Sequence, residues 1–219
     1  MSKLTITNED NMALMSRYPD KYFELAIVDP PYGIGFSHFN RTNKNQKGER
    51  FKSNKYKNGN WDDSAPSELY FKELFRVSKN QIVWGGNYFP FIWNYGGKCF
   101  IFWHKGNPVE NFADGELAWT SFNKVAKQFD YRYYGGLEGN TSANNKIHPT
   151  QKPVALYKWL LKNYAKPGDK ILDTHLGSGS IAIACYDLGF DLTACELDTD
   201  YYNAAIKRIN EHKLQIKLF

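Results

Sequence analysis

The chain has 219 residues, a formal net charge of +5, and hydrophobic and aromatic shares of 42% and 16%. This composition suits one packed α/β domain spanning 1–219 and excludes disorder throughout. No apolar run reaches the roughly 20 residues of a membrane span and the opening MSKLTITNED has no signal-peptide core, so the expected setting is the cytoplasm. Cys99, Cys185 and Cys195 sit apart in apolar stretches without CxxC spacing, and His104, His148 and His175 lack ligand spacing; neither a disulfide framework nor a metal site is expected.

In chain order, a first strand is expected near Leu4–Ile6, followed by Asp10 ahead of NMALM, where it reads as a helix N-cap or as a ligand contact. The next strand, Leu25–Val28, runs into VDPPYGIG. Two consecutive prolines fix φ and give no N–H, so Pro30 and Pro31 end the strand and present Asp29 and Tyr32 on a rigid turn. Behind it, RTNKNQKGERFKSNKYK carries seven basic residues, Arg41, Lys44, Lys47, Arg50, Lys52, Lys55 and Lys57, against one acid. It lacks hydrophobic period and reads as a basic, flexible loop inserted at about 36–60, either a polyanion contact or a solvated excursion.

Further strands are expected near Gln81–Trp84, Cys99–Trp103 and Glu116–Thr120. After HPTQKP, Tyr157, Leu160, Leu161 and Tyr164 make one apolar helix face, with Pro153 suited to the first turn; Thr150 and Lys152 lie in the turn before it. KILDTHLGSGSIAIA then reads as strand (Lys170–Leu172), glycine turn and small-residue helix, followed by a strand at Asp191–Ala194 and a helix from about Asp200 with Tyr202, Ile206 and Ile209 on one face. Strands alternating with helices predict a doubly wound, mostly parallel sheet.

Gly177, Gly179 and Ala182 fit the G-x-G-x-x-G/A nucleotide turn, and Glu196 lies 23 positions beyond Asp173, where an acid can hold ribose hydroxyls. No GK[ST] follows, which removes the P-loop. Only 37 residues follow Ala182, too few for the second half of a dinucleotide fold, so NAD and FAD are not expected. Both sites end strands of one sheet, so Asp29 and Asp173 are expected to be neighbours on its rim.

DPPY first, DTHLGSGS last and HPTQKP between them resemble the amino-methyltransferases of DNA in their permuted, beta-type arrangement, and the likeness runs through ITNEDNMALM, IVWGGNYF, WHKGN, GELAWTSF, RYYG and ACELDTDYY. The resemblance implies the Rossmann-like fold of S-adenosylmethionine-dependent methyltransferases and transfer to the N6 amine of a flipped adenine in double-stranded DNA, as in restriction–modification. It further implies that Asp29, Pro30, Pro31 and Tyr32 handle the base, with Asp29 also at the cofactor's reactive end. Asp173, Gly177, Gly179 and Glu196 hold its methionine and ribose parts, Asp10 its adenine, and Thr150 and Lys152 its carboxylate. Asp rather than Ser at position 29 is closer to the adenine-N6 enzymes than to the cytosine-N4 ones. Thr174 and His175 stand where the family more often has Pro-Phe, which alters the wall against the cofactor. Asn87, Tyr88 and Phe89 line the base pocket or pack in the core. Homodimerisation is one way for so short a chain to extend its DNA footprint.

The residue chemistry agrees with this reading. An exocyclic amine shares its lone pair with the ring, and acceptors on its two hydrogens localise that pair and stabilise the cationic transition state. In-line attack on a sulfonium methyl then depends mainly on positioning. A carbon-5 cytosine enzyme needs a nucleophilic cysteine, typically behind a proline, and no cysteine here follows one. Transfer to cytosine N4, RNA or a protein amide, and a nucleic-acid-binding protein with a degenerate site, are the alternatives.

Overall fold

Alternation of apolar residues along the chain builds a single large sheet, flanked by helices wherever the apolar spacing changes from two to between three and four. The computed structural model describes residues 2–35, 42–44, 50–52, 62–106, 113–134, 137–138 and 147–215. In chain order the elements are β1 (Leu4–Asn8), α1 (Asn11–Ser16), β2 (Phe23–Val28), β3 (Thr42–Lys44), β4 (Arg50–Lys52), α2 (Glu68–Val77), β5 (Ser78–Trp84), two short 3-10 turns (Gly86–Tyr88 and Pro90–Tyr95), β6 (Phe100–His104), β7 (Gly115–Thr120), β8 (Lys127–Asp130), β9 (Tyr133–Tyr134), β10 (Leu137–Glu138), α3 (Val154–Tyr164), β11 (Lys170–Asp173), α4 (Ser180–Leu188), β12 (Asp191–Glu196) and α5 (Thr199–Leu214). All seven expected strands form, their ends shifted by a few residues.

The main sheet has the order β1-β12-β11-β2-β5-β7-β6-β8, and only β7 runs against the rest. From β11 the chain crosses through α4 outward to β12, and from β2 it crosses through α2 in the other direction to β5. The strand order therefore reverses between β11 and β2, and the crevice at their carboxyl ends is where an open α/β sheet binds ligands. Asp29 follows the last residue of β2 and Asp173 is the last residue of β11, so the two acids meet at that point.

Helices cover both faces, which is why β2 reads as a nearly continuous apolar run. Leu25 and Ile27 join the core of Leu156 and Leu160 (α3) and Ile181 and Ala184 (α4). Ala26 and Val28 join Leu14 and Met15 (α1) and Tyr70, Phe71 and Leu74 (α2). At about 1.5–3 kcal/mol for each large apolar side chain fully buried, this double anchorage fixes the strand that delivers Asp29.

Several local features differ from the sequence reading. Within the basic segment, where no strand was expected, β3 and β4 pair antiparallel, with Thr42 opposite Lys52 and Lys44 opposite Arg50; Arg41, Lys47, Lys55 and Lys57 lie outside the described residues. Pro153 is the N-cap of α3, one position before its first turn. The buried residues of α5 are Ala205 and Ile209, while Tyr202 and Ile206 are only partly covered. Strand β8 was not anticipated, because KQFD, largely exposed at the sheet edge, carries no apolar alternation.

Candidate active site

The turn after β2 is held from outside itself. Asp62 Oδ1 accepts from the backbone N–H of Tyr32 at 2.7 Å and of Gly33 at 2.9 Å, and its carbonyl accepts from Gly35 N at 3.1 Å. One buried carboxylate thus supplies the acceptors that a proline-broken backbone cannot find in a ladder. The Tyr32 ring lies against Gly85, whose φ is +70° and where a Cβ would stand 2.2 Å from Tyr32 Cε1. It also stacks on Tyr88, with centroids 4.9 Å apart and planes 15° from parallel, and meets Phe89 edge-on.

Asp29 sits in a chain of alternating charge. Its Oδ1 accepts from the Tyr32 hydroxyl at 2.9 Å and its Oδ2 from Lys152 Nζ at 2.5 Å. The Lys152 ammonium, with a side chain 2% exposed, also meets Glu116 Oε2 at 3.0 Å, and Lys105 pairs with the other Glu116 oxygen. Burial, together with Glu116, raises the Asp29 carboxyl above its usual range, against the pull of Lys152. Burial also opposes charge on Glu116, but the ammonium groups of Lys152 and Lys105 prevail and hold it at about 2. Burial disfavours the Lys152 ammonium, and Asp29 and Glu116 more than compensate. Removing one member of such a buried pair typically costs about 3–5 kcal/mol, because its partner is left uncompensated.

On the β11 side, Gly177 (φ +52°) and Gly179 (φ +73°) form the turn into α4. Glu196, at the end of β12, accepts from Gly177 N at 2.8 Å and from Asp198 N at 3.0 Å. Arg208 of α5 donates to Ser178 O at 2.8 Å and Ser180 Oγ at 2.9 Å, tying down the outer side of the turn. Asp173 accepts from His175 N at 3.0 Å; burial, with Asp29 and Glu196 adding to it, pushes its carboxyl up to about 8. His175 and Thr174 form a polar path, Asn11 Nδ2 to His175 Nε2 (3.1 Å), His175 Nδ1 to Thr174 Oγ1 (2.9 Å) and Thr174 Oγ1 to Tyr70 Oη (2.7 Å), which links α1 to α2. Burial lowers His175 to about 4, so the ring is neutral, and an amide donor at Nε2 makes Nδ1 the protonated nitrogen.

Asp29, Tyr32, Lys152 and Asp173 are gathered at the switch point, with the Gly177–Gly179 turn and Glu196 beside them. Asp10 is the N-cap of α1, its Oδ1 accepting from Met12 N at 2.8 Å and Ala13 N at 3.1 Å. Thr150 Oγ1 bonds to His148 Nδ1 at 3.0 Å, and the Lys152 ammonium is engaged by Asp29 and Glu116. Glu116, Lys105, Asp62 and Gly85 were not singled out from the sequence. Each is one residue of a common type with no spacing signal, and only pairing of distant strands brings it to the site.

A mostly parallel sheet with a glycine turn and a proline-fixed carboxylate facing each other at its switch point is the ligand-binding rim of a Rossmann-like fold. The DNA methylase model of N6/N4 methyltransferases matches residues 83–207. The chain is 26% identical over 254 aligned residues to Type II methyltransferase M.HinfI of Haemophilus influenzae, covering 95% of this chain and 69% of that protein. Among solved structures, the M1.HpyAVI–SAM complex superposes with a TM-score of 0.62 at 19% identity (94% of this chain, 99% of that one). The PvuII DNA methyltransferase, cytosine-N4-specific, superposes with 0.63 at 13% (97% and 92%). The last two are likenesses of fold. The chain belongs to the N6/N4 DNA methylase family, whose methyl donor is S-adenosylmethionine and whose substrate is DNA.

The residues present fit that donor. Asp29, Asp173 and Glu196 crowd one rim; burial, with the repulsion of Asp29 and Glu196 added to it, raises Asp173, and a ligand bearing positive charge, as a sulfonium with an α-ammonium does, favours its carboxylate. A Cβ at Gly177 would meet only His175 O, at 3.9 Å, so the turn's backbone is open to close approach. Among the described residues no His, Cys, Asp and Glu cluster could hold a metal ion, and no helix is long and apolar enough to cross a membrane.

Proposed function

We propose that the protein transfers the methyl group of S-adenosylmethionine to the exocyclic N6 amine of adenine in DNA. The observation that carries this reading is a carboxylate and a proline carbonyl on one fixed turn, Asp29 and Pro30, beside the Asp173–Gly177–Glu196 turn at the switch point. The donor supplies an electrophilic methyl on a sulfonium. Asp29 and the Pro30 carbonyl accept from the two amine hydrogens, which localises the nitrogen lone pair and stabilises the positive charge it acquires. Asp29 is also the nearest acceptor for the proton the methylated amine releases. Pro31 and Asp62 keep these acceptors aimed, and the Tyr32–Tyr88 stack gives the extruded base an aromatic surface to lie on.

In the same reading, Asp173, Gly177, Gly179 and Glu196 hold the donor, with Asp10 and Thr150 at its ends, while the basic segment Arg41–Lys57 supplies phosphate contacts that position the duplex. Aspartate at position 29 resembles the adenine-N6 enzymes more than the cytosine-N4 ones, and that resemblance supports adenine as the base. The test is transfer of labelled methyl groups to mixed-sequence DNA, followed by digestion to nucleosides. Label in N6-methyladenine supports the reading; label in N4-methylcytosine, or in RNA alone, overturns it.

A further inference from the structure

The charge chain around Asp29 raises a problem that the transfer step has to solve. Lys152 places a buried ammonium 2.5 Å from the carboxylate meant to receive the target amine. That ammonium competes with the amine for Asp29 Oδ2, and its field opposes the positive charge that grows on the nitrogen. The only other carboxylate among the described residues that touches Lys152 is Glu116, 3.0 Å away on β7 and 23% exposed, with Lys105 on its outer oxygen. The Tyr32 hydroxyl stands 3.4 Å from both Lys152 Nζ and Glu116 Oε2, so the ammonium can leave Asp29 and keep two partners.

We propose that Glu116 is a positioning residue of the methyl transfer: it takes up the Lys152 ammonium when the target amine takes its place on Asp29, and its negative charge cancels the ammonium's field at the reacting nitrogen. This rests on Asp29 being the amine acceptor. Lys152, in turn, keeps the buried Asp29 ionised before substrate arrives. The other groups facing Asp29 are the Tyr32 and Tyr157 phenols, both held neutral by burial, and Asp173. Lys105 holds Glu116 from the outer side and keeps it charged.

Lys152 and Glu116 act on Asp29 with opposite sign. Neutralising Glu116 removes a charge that raises Asp29 and gives Lys152 wholly to it, so the acid limb of the rate profile moves to lower pH. Neutralising Lys152 moves that limb to higher pH.

The experiment measures single-turnover transfer against pH for Glu116→Gln, Glu116→Asp and Lys152→Met, on whichever base the wild type methylates, so that a wrong base assignment and a wrong role for Glu116 give different results. S-adenosylmethionine affinity and thermal unfolding are followed in parallel. Glu116→Gln is expected to slow transfer by about 10- to 100-fold with donor affinity within about threefold, its acid limb moved down while that of Lys152→Met moves up. Glu116→Asp, which keeps the charge, retains most of the rate and the wild-type limb. The proposal is overturned by a wild-type rate in Glu116→Gln, by limbs that move together, or by loss confined to donor affinity or folding. If Glu116→Gln does not fold, Glu116→Asp decides: a rate as low as that of an Asp29 variant contradicts the role.

Discussion

Replacing Gly85 by alanine tests how Tyr32 is held. At φ +70° an L-residue costs about 1–2 kcal/mol. The added Cβ would also lie 2.2, 2.5 and 2.7 Å from three atoms of the Tyr32 ring, where ordinary contact begins at 3.4 Å, so the ring has to move by about 1 Å. Overpacking of this kind costs a further ~1–3 kcal/mol. The displaced ring carries the hydroxyl that bonds to Asp29 and the face that stacks on Tyr88. A misplacement of about 1 Å near the reacting groups is expected to slow transfer by about 100-fold. Urea unfolding of Gly85→Ala, Tyr32→Ala and the double variant separates the two parts. Without the Tyr32 ring only the backbone cost of about 1–2 kcal/mol should remain. An equal cost in both backgrounds, or transfer by Gly85→Ala within about threefold of wild type, refutes the proposed packing.

Donor binding should be linked to a proton. Asp173, pushed up to about 8, is protonated at neutral pH in the free protein; a cationic ligand favours its carboxylate, so binding releases a proton and affinity rises as pH increases toward about 8. Calorimetry in two buffers of different ionisation enthalpy measures that proton, and an affinity independent of pH between about 6 and 8 contradicts it. In the basic segment, replacing Lys44, Lys47, Arg50, Lys52 and Lys55 by serine should weaken DNA binding and lower the log–log salt slope by about 0.9 for each phosphate that the variant no longer neutralises. An unchanged slope places the duplex elsewhere. Chelator should leave donor binding intact in calorimetry, since the sulfonium needs no metal activation; disappearance of the binding signal opposes this.

Both halves of the site were legible because each carries a local backbone signature. The proline pair after ELAIV and the glycines after KILD mark strand ends whatever lies around them, and the parallel order then brings Asp29 to Asp173. The residues that complete the charge chain around Asp29 and Lys152 were not legible. Glu116 and Lys105 sit in or beside a strand pair where one acid and one lysine look like any solvated face, and only the antiparallel insertion of β7 turns Glu116 toward Lys152. The resemblance puts Lys152 at the cofactor's carboxylate, whereas its packing is set by two carboxylates far away in sequence. Helix α2 was not singled out from the sequence, although Tyr70, Phe71, Leu74 and Val77 make its buried stripe behind the Ser67 cap.

The central claim is that Asp29 acts on the target amine and leaves donor binding to the β11 turn. Its most direct test is Asp29→Ala, assayed for single-turnover methyl transfer and for S-adenosylmethionine affinity in the same preparation. Transfer should fall to background while donor affinity stays within about tenfold, roughly 1.4 kcal/mol. If donor binding disappears together with activity, or transfer survives, the assignment of Asp29 to the amine is wrong.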